Sequence, residues 1–110
     1  MECAVVGTDK IVKINEKVSS GVLLRDLDSI YSSYMYYDDI KLQIMSIICN
    51  LLKGHYFVDG NKRTSVLLLY ILSKYNNVKL SITNDVLDDV IVQIIEDNLS
   101  VEDSAKLIFN

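Results

Sequence analysis

The stretch 55–64 holds the residue types with which a protein could transfer a phosphate-bearing group. It contains the only histidine of the chain, His55, and histidine is the side chain that most readily exchanges protons near neutral pH. A carboxylate, Asp59, and two adjacent cations, Lys62 and Arg63, follow within the same stretch. Together these residues offer a base, a ligand for a hard cation and a binding site for an anion.

The end of this stretch predicts the start of a helix, because a long apolar run follows it. If the helix begins at Asn61, the backbone N–H groups from Gly60 to Arg63 have no intrahelical partner and, with the helix dipole, form an anion site. Gly60 allows the close approach of a phosphate and can adopt a positive φ. Mg²⁺ needs few carboxylates beside substrate phosphates, so Asp59 can serve as its protein ligand. The combination fits phosphoryl or nucleotidyl transfer, which depends mainly on positioning and charge neutralisation.

Each of these residues has a simpler explanation when it is considered alone. A lone histidine before an aromatic residue is more often structural, and Asp-Gly-Asn is a common turn. An adjacent lysine and arginine usually lie on a solvated face. Phe57 and Val58 are expected to pack the loop onto the core. The functional interpretation therefore depends on the combination of residue types.

An all-α domain is predicted to position this stretch. The chain has 110 residues, half of them hydrophobic, and no proline, which suits one compact domain of helices with short connections. The apolar spacing predicts an amphipathic helix over 26–36 and a helix buried on two sides over 40–53, ending at Gly54. A run that is apolar nearly all round predicts the central helix of the bundle over 62–75.

The C-terminal part of the chain predicts two more helices. Thr83 or Asn84 can cap the first of them, and Ser100 with Asp103 resembles a capping box that opens the second. The alternation over 78–82 predicts a short extended link before them.

The N-terminal part is less strongly patterned. Residues 9–18 are compatible with either a helix or an extended segment. The short apolar run Val22, Leu23 and Leu24 predicts a small hairpin or flap near residues 21–25.

Composition excludes several classes of protein. The net charge of −4 has the wrong sign for general nucleic-acid binding, and no apolar run reaches the length of a membrane span. The N-terminus lacks the basic region of a signal peptide. Cys3 and Cys49 show no metal-binding spacing, which favours reduced thiols and a cytoplasmic protein.

The residues from His55 to Thr64 resemble the motif H-x-F-x-[D/E]-[G/A]-N-x-R of the Fic/Doc (Fido) family. The string Asn-Lys-Arg-Thr is similar to the Doc (death-on-curing) branch, in which the protein is the toxin of a toxin–antitoxin pair. The resemblance covers about residues 21–110 and leaves 1–20 unassigned. It implies a single Fido-type domain over 1–110, a helical bundle around the helix at 62–75.

The resemblance also implies the roles of individual residues. His55 would be the general base, Asp59 would position Mg²⁺, and Lys62 and Arg63 would belong to the catalytic set. ATP would be the co-substrate. The nucleotide phosphates would be bound by Gly60, Asn61, Lys62 and Arg63, and the flap that aligns the target protein would be Val22, Leu23 and Leu24.

Lys62 separates the two branches of the family. The Fic branch usually has glycine there and a second arginine at the position of Val66. A lysine would fill the pocket for the outer phosphates, so the nucleotide is expected to bind reversed, with its γ-phosphate facing His55. The resemblance thus implies a Doc-like kinase that phosphorylates a threonine of elongation factor Tu and inhibits translation.

Two alternatives remain at this point: a Fic-type AMP transferase and a non-catalytic binding module with the same fold.

No inhibitory [S/T]-x-x-x-E-[G/N] pattern occurs in the chain. Inhibition of its activity is therefore expected from a second protein, an antitoxin in trans, which would lie on the tyrosine-bearing face near residues 26–37. Neither a membrane nor a direct nucleic-acid partner is expected.

Overall fold

The computed structural model describes residues 3–109, and its regular elements are helical. Five α-helices and two short 3₁₀ helices account for them, and within this range no strand forms. The all-α prediction is therefore confirmed. The α-helices are α1 (Thr8–Val18), α2 (Ile40–Gly54), α3 (Asn61–Tyr75), α4 (Asn84–Glu96) and α5 (Val101–Ile108).

The core lies around α2 and α3. Helix α2 is buried on most of its surface, as its apolar pattern predicts, and contacts α3, α4, α5 and both 3₁₀ helices. Helix α3 buries Leu68, Leu69 and Leu72 and contacts both α2 and α1. The two helices that flank the stretch 55–60 are thus held by the core, which fixes the ends of that loop.

Side-chain caps form at the starts of α2 and α5, and of these the sequence predicted the one at Ser100. Asp39 accepts from the backbone N–H of Lys41 at the start of α2, and Ser100 accepts from that of Asp103 at 3.1 Å. Thr83 occupies the N-cap position of α4, but its side chain makes no capping hydrogen bond.

The predicted continuous helix over 26–36 is wrong. The segment forms two 3₁₀ helices, Leu27–Tyr31 and Tyr34–Tyr36. The hydroxyl of Ser32 donates to the carbonyl of Ser29, and such local bonds of serine compete with a regular helix. Leu27 and Ile30 are nevertheless buried, because residues three apart stack on one side of a 3₁₀ helix.

Two segments that the sequence described only loosely have definite structures. Residues 9–18, for which the sequence left a helix or an extended segment open, belong to the helix α1. Residues 78–82 form no strand. They are fixed instead by Ser81, whose backbone N–H and hydroxyl both donate to the carbonyl of Ile108 at the end of α5.

Both cysteines are buried and unpaired, Cys3 near the N-terminus and Cys49 in α2. Burial raises the pKa of the Cys49 thiol, which keeps it in the neutral form. Between residues 3 and 109 no helix has the length and apolar composition needed to cross a bilayer.

The cap of α5 gives a direct test of the fold. We expect Ser100→Ala to lower the free energy of unfolding by about 1 kcal/mol, because the N–H of Asp103 loses its acceptor. Ser100→Gly should lower it by only a few tenths of a kcal/mol, since glycine leaves the first turn open to water. Urea denaturation followed by circular dichroism measures both values. Equal losses in the two variants would show that the hydroxyl is not the cap.

Candidate active site

The loop from His55 to Gly60 reverses the chain between α2 and α3. Helix α2 ends at Gly54, and His55 follows it in the left-handed region with φ 50° and ψ 56°. Gly54 is required by packing, because a Cβ there would lie 2.1 Å from a ring carbon of Tyr56. The left-handed turn leaves the imidazole of His55 exposed at the end of α2.

Tyr56 anchors the first half of the loop. Its ring is buried, its hydroxyl is hydrogen-bonded to that of Ser29, and the guanidinium of Arg25 lies 4.5 Å from the ring centroid. Arg25 also donates to the carbonyl of Gly54 at 3.1 Å. Arg25 therefore ties the chain after the predicted flap to the end of α2.

Asn61 anchors the second half. Its side-chain oxygen accepts from the backbone N–H of Phe57 at 3.0 Å, and its side-chain nitrogen donates to the carbonyl of Phe57 at 2.9 Å. Phe57 is fully buried, so its peptide groups need such partners. The amide of Asn61 is thus occupied within the loop, and the part of Asn61 that faces a ligand is its backbone N–H.

The N-terminus of α3 is open. Gly60 is its N-cap in the left-handed region, with φ 76°, and no side chain caps this end. The first helical hydrogen bond runs from the N–H of Thr64 to Gly60, and within residues 3–109 the N–H groups of Asn61, Lys62 and Arg63 have no acceptor. With the exposed side chains of Lys62 and Arg63, this end has the properties of an anion site.

The predicted flap pairs with the loop by a single antiparallel bridge, Leu23 to Phe57. The N–H of Leu24 donates to the carbonyl of Tyr56 at 2.7 Å, and the N–H of Val58 donates to the carbonyl of Val22 at 3.0 Å. In this pattern the N–H and carbonyl of Leu23 point away from the loop, and no described residue pairs with them. The flap therefore presents one free backbone edge.

Asp59 is the residue of the loop whose side chain contacts the C-terminal end of α1. One of its carboxylate oxygens accepts from the hydroxyl of Ser19 at 3.4 Å, and the side chain is exposed. Residues 3–109 contain no cluster of three acidic, histidine or cysteine side chains that could hold a metal. The described residues therefore offer no site in which protein side chains alone coordinate a metal. One exposed carboxylate beside an anion site nevertheless fits Mg²⁺, which takes most of its ligands from phosphates and water.

A cleft of about 490 Å³ brings most of the predicted site residues together. It lies between the loop, the end of α2 and the inner side of α4. Its walls are Leu52, His55, Val58, Asp59, Gly60, Asn61, Lys62, Arg63 and Ile95. The flap residues do not line this cleft; they lie beside it through their pairing with the loop.

An apolar groove of about 430 Å³ adjoins the cleft and shares Lys62 and Arg63 with it. Its other walls come from the end of α1, from α3 and from α4: Val18, Val66, Leu67, Asp88, Ile91 and Val92. The two cations thus stand between a polar cleft and an apolar groove.

Three residues that contact the loop were not predicted from the sequence: Asn15, Ser19 and Arg25. Asn15 is fully buried, and its side chain donates to the carbonyl of Asp59 and to the hydroxyl of Thr64. One feature of the sequence could have identified it: Asn15 lies on the apolar face of α1, four residues after Ile11, where a polar side chain needs a specific partner.

Comparison with known proteins agrees with the motif. A model of the Fic/DOC family matches residues 11–73, which is more than half of the chain. The match includes residues 11–20, which the resemblance to the motif left unassigned. No curated protein sequence matches the chain.

The contact between Asn61 and Phe57 gives a test of the loop. We expect Asn61→Ala to lower the free energy of unfolding by about 1–3 kcal/mol, because it leaves two backbone groups of Phe57 without partners. The control is Gln93→Ala, an exposed amide on α4, which should change stability by less than about 0.5 kcal/mol. Chemical denaturation compares the two, and a loss for Asn61→Ala no larger than the control would contradict the bracing role.

Proposed function

The chain belongs to the Fic/Doc family, whose members generally transfer nucleotide or phosphate groups to hydroxyl groups of proteins, and we propose that it is a kinase of the Doc branch. In this proposal the chain is the toxin of a toxin–antitoxin pair, and ATP with Mg²⁺ is the co-substrate. The acceptor is a threonine of elongation factor Tu, and its phosphorylation inhibits translation. The observation that carries the proposal is the cleft in which His55, Asp59 and the open N-terminus of α3 meet.

His55 is the proposed base. It takes the proton of the acceptor hydroxyl while that oxygen attacks the γ-phosphorus of ATP. A new O–P bond forms, the bond from the γ-phosphorus to the bridging oxygen breaks, and ADP leaves with that oxygen. The exposed position of His55 on the wall of the cleft supports this role, because a base must reach a hydroxyl of another protein.

The start of α3 is the proposed phosphate site. The backbone N–H groups of Asn61, Lys62 and Arg63 and the two cationic side chains would bind the phosphate oxygens. Mg²⁺ held by Asp59 and the phosphates would neutralise the negative charge that develops during transfer. Since Asn61 uses its side chain to brace Phe57, it contributes its backbone here.

The direction of the nucleotide decides which group is transferred. Lys62 stands where the Fic branch usually has glycine, and it lines both the cleft and the apolar groove. A long cation at this position restricts the room for outer phosphates beyond the helix start, which favours a nucleotide whose γ-phosphate faces His55. Transfer of AMP, the alternative for a Fic-type site, requires the opposite direction.

The apolar groove is the proposed place for the nucleoside. It begins at Lys62 and Arg63, where the phosphate site ends, and its volume of about 430 Å³ falls in the range of small-ligand sites. Its walls Val66 and Ile91 offer apolar contact to a flat base, and Asp88 offers an acceptor for an amino group.

The flap is the proposed site for the target protein. The outward N–H and carbonyl of Leu23 can pair with an extended segment of another chain, as in β-augmentation. Because the flap is bonded directly to Tyr56 and Val58, a segment bound to its outer edge would be separated from the loop that carries His55 by the width of one strand. This supports a protein acceptor over a small molecule.

The antitoxin is proposed to cover the tyrosine-bearing face near residues 26–37. Tyr36 is 86 % exposed and Met35 54 % exposed, which suits a partner helix or a tail that orders on binding. Co-expression with the neighbouring reading frame tests this proposal. Toxicity that persists with every neighbour would contradict it.

Labelled ATP distinguishes the kinase from its alternatives. We expect elongation factor Tu to receive label from γ-labelled ATP and none from α-labelled ATP. Label from the α position alone would overturn the kinase and favour AMP transfer. If neither label is transferred and calorimetry finds no binding of Mg-ATP, the chain is a binding module.

His55→Ala should reduce the transfer by about 100-fold or more, because it removes the general base. The matched control is Lys74→Ala, which removes an exposed side chain at the far end of α3 and should leave the rate unchanged. Circular dichroism confirms that both variants are folded. Transfer by His55→Ala at the control rate would refute the role of the imidazole.

A further inference from the structure

We propose that Asn15, in the helix α1, is a positioning residue that fixes the nucleotide loop and the target flap to each other. The proposal rests on the function proposed above. It concerns a residue outside the motif, whose side chain lines neither the cleft nor the apolar groove. It therefore acts on the reaction only through the segments it holds.

Asn15 bonds to three separate segments with one amide. Its side-chain nitrogen donates to the carbonyl of Asp59 at 2.9 Å and to the hydroxyl of Thr64 at 3.0 Å. Its side-chain oxygen accepts from the backbone N–H of Gly21 at 2.9 Å. Both sides of the amide are thus used, and the side chain is fully buried.

These partners are the segments whose spacing matters for group transfer. Asp59 carries the carboxylate proposed for Mg²⁺, Thr64 lies in the first turn of α3, and Gly21 begins the flap. The loop thus holds the nucleotide and the flap holds the acceptor, and Asn15 is hydrogen-bonded to both. Since a displacement of about 1 Å can reduce a rate about 100-fold, the length of this connection determines how well hydroxyl and phosphate are aligned.

The surroundings leave little freedom for other residues at this contact. A Cβ on Gly60 would lie 3.1 Å from the side-chain nitrogen of Asn15 and 3.0 Å from the Cβ of Ser19. The backbone carbonyl of Asn15 also accepts from the N–H of Ser19, which ends α1. The loop and the C-terminal end of α1 are therefore in direct contact, and the amide of Asn15 lies at this contact.

Two near-isosteric variants test the connection. Asn15→Leu removes both halves of it, because leucine can neither donate to Asp59 nor accept from Gly21. Thr64→Val removes only an acceptor on the side of α3. Hydrogen exchange should rise in both segments 20–24 and 56–63 for Asn15→Leu. For Thr64→Val it should rise only in 56–63 and by a smaller factor, because the bond from Asn15 to Asp59 is kept.

Kinetics give the second measurement. For Asn15→Leu we expect kcat/KM to fall by about 100-fold, with higher KM values for both Mg-ATP and the protein acceptor. For Thr64→Val only the KM for Mg-ATP should rise, because the flap keeps its bond to Asn15.

The control is Gln43→Leu, which removes another buried amide, one that donates to the carbonyl of Tyr37 in a different part of the molecule. It leaves the carbonyl of Tyr37 without this donor but should change neither the exchange of the two segments nor the kinetics, when all variants are compared at a temperature where they are folded.

Each outcome decides the proposal. If Asn15→Leu behaves like Gln43→Leu, or if Thr64→Val leaves exchange in 56–63 unchanged, the connection does not position the loop. Should Asn15→Leu fail to fold, the exchange of Thr64→Val gives the answer. If the wild-type protein transfers no phosphate, the proposed function fails, and the exchange measurements still decide whether Asn15 holds the two segments together.

Discussion

The reversal of the chain between α2 and α3 is the constraint on which the rest of the site depends. The loop must turn within a few residues while Phe57 stays fully buried between two helices. Left-handed backbone at His55 and Gly60 makes the turn, at a conformational cost for the non-glycine residue. The cost is offset by packing, because Phe57 and the ring of Tyr56 are both buried on the core. The turn leaves His55 exposed and the first turn of α3 uncapped.

A buried loop needs partners for its peptide groups, and these partners come from elsewhere in the chain. Asn61 satisfies Phe57 from within the motif, whereas the flap satisfies Tyr56 and Val58. Arg25 reaches the end of α2. The segments that precede α2 therefore supply bonds to the loop, and the family match, which begins inside α1, includes them.

Local sequence patterns were sufficient to predict the main helices, but they did not predict the long-range polar contacts. The apolar spacing predicted α2 and α3 correctly, because the burial of apolar side chains determines which faces of these helices point to the core. In the segment 26–36 the hydroxyl of Ser32 bonds to the carbonyl of Ser29, and periodicity does not record such local bonds, which compete with a regular helix. Asn15 bonds to residues 44 and 49 positions away, and no spacing rule connects such partners. The left-handed backbone at His55 was likewise hidden, because the adjacent Gly54 is the usual residue for it.

Buried residues and exposed residues have different roles in the site: the former set the geometry of the loop, and the latter line the surface on which a ligand would bind. The positions of His55 and of the start of α3 are set by contacts of Phe57, Asn61 and Asn15. Lys62 and Arg63 are exposed and stand between the cleft and the apolar groove, so we expect their substitution to alter the proposed binding of a nucleotide without disturbing the fold. In the proposed function, a base held by buried contacts and an exposed phosphate site would allow one scaffold to serve both phosphoryl and nucleotidyl transfer, and Lys62 would determine which of the two occurs.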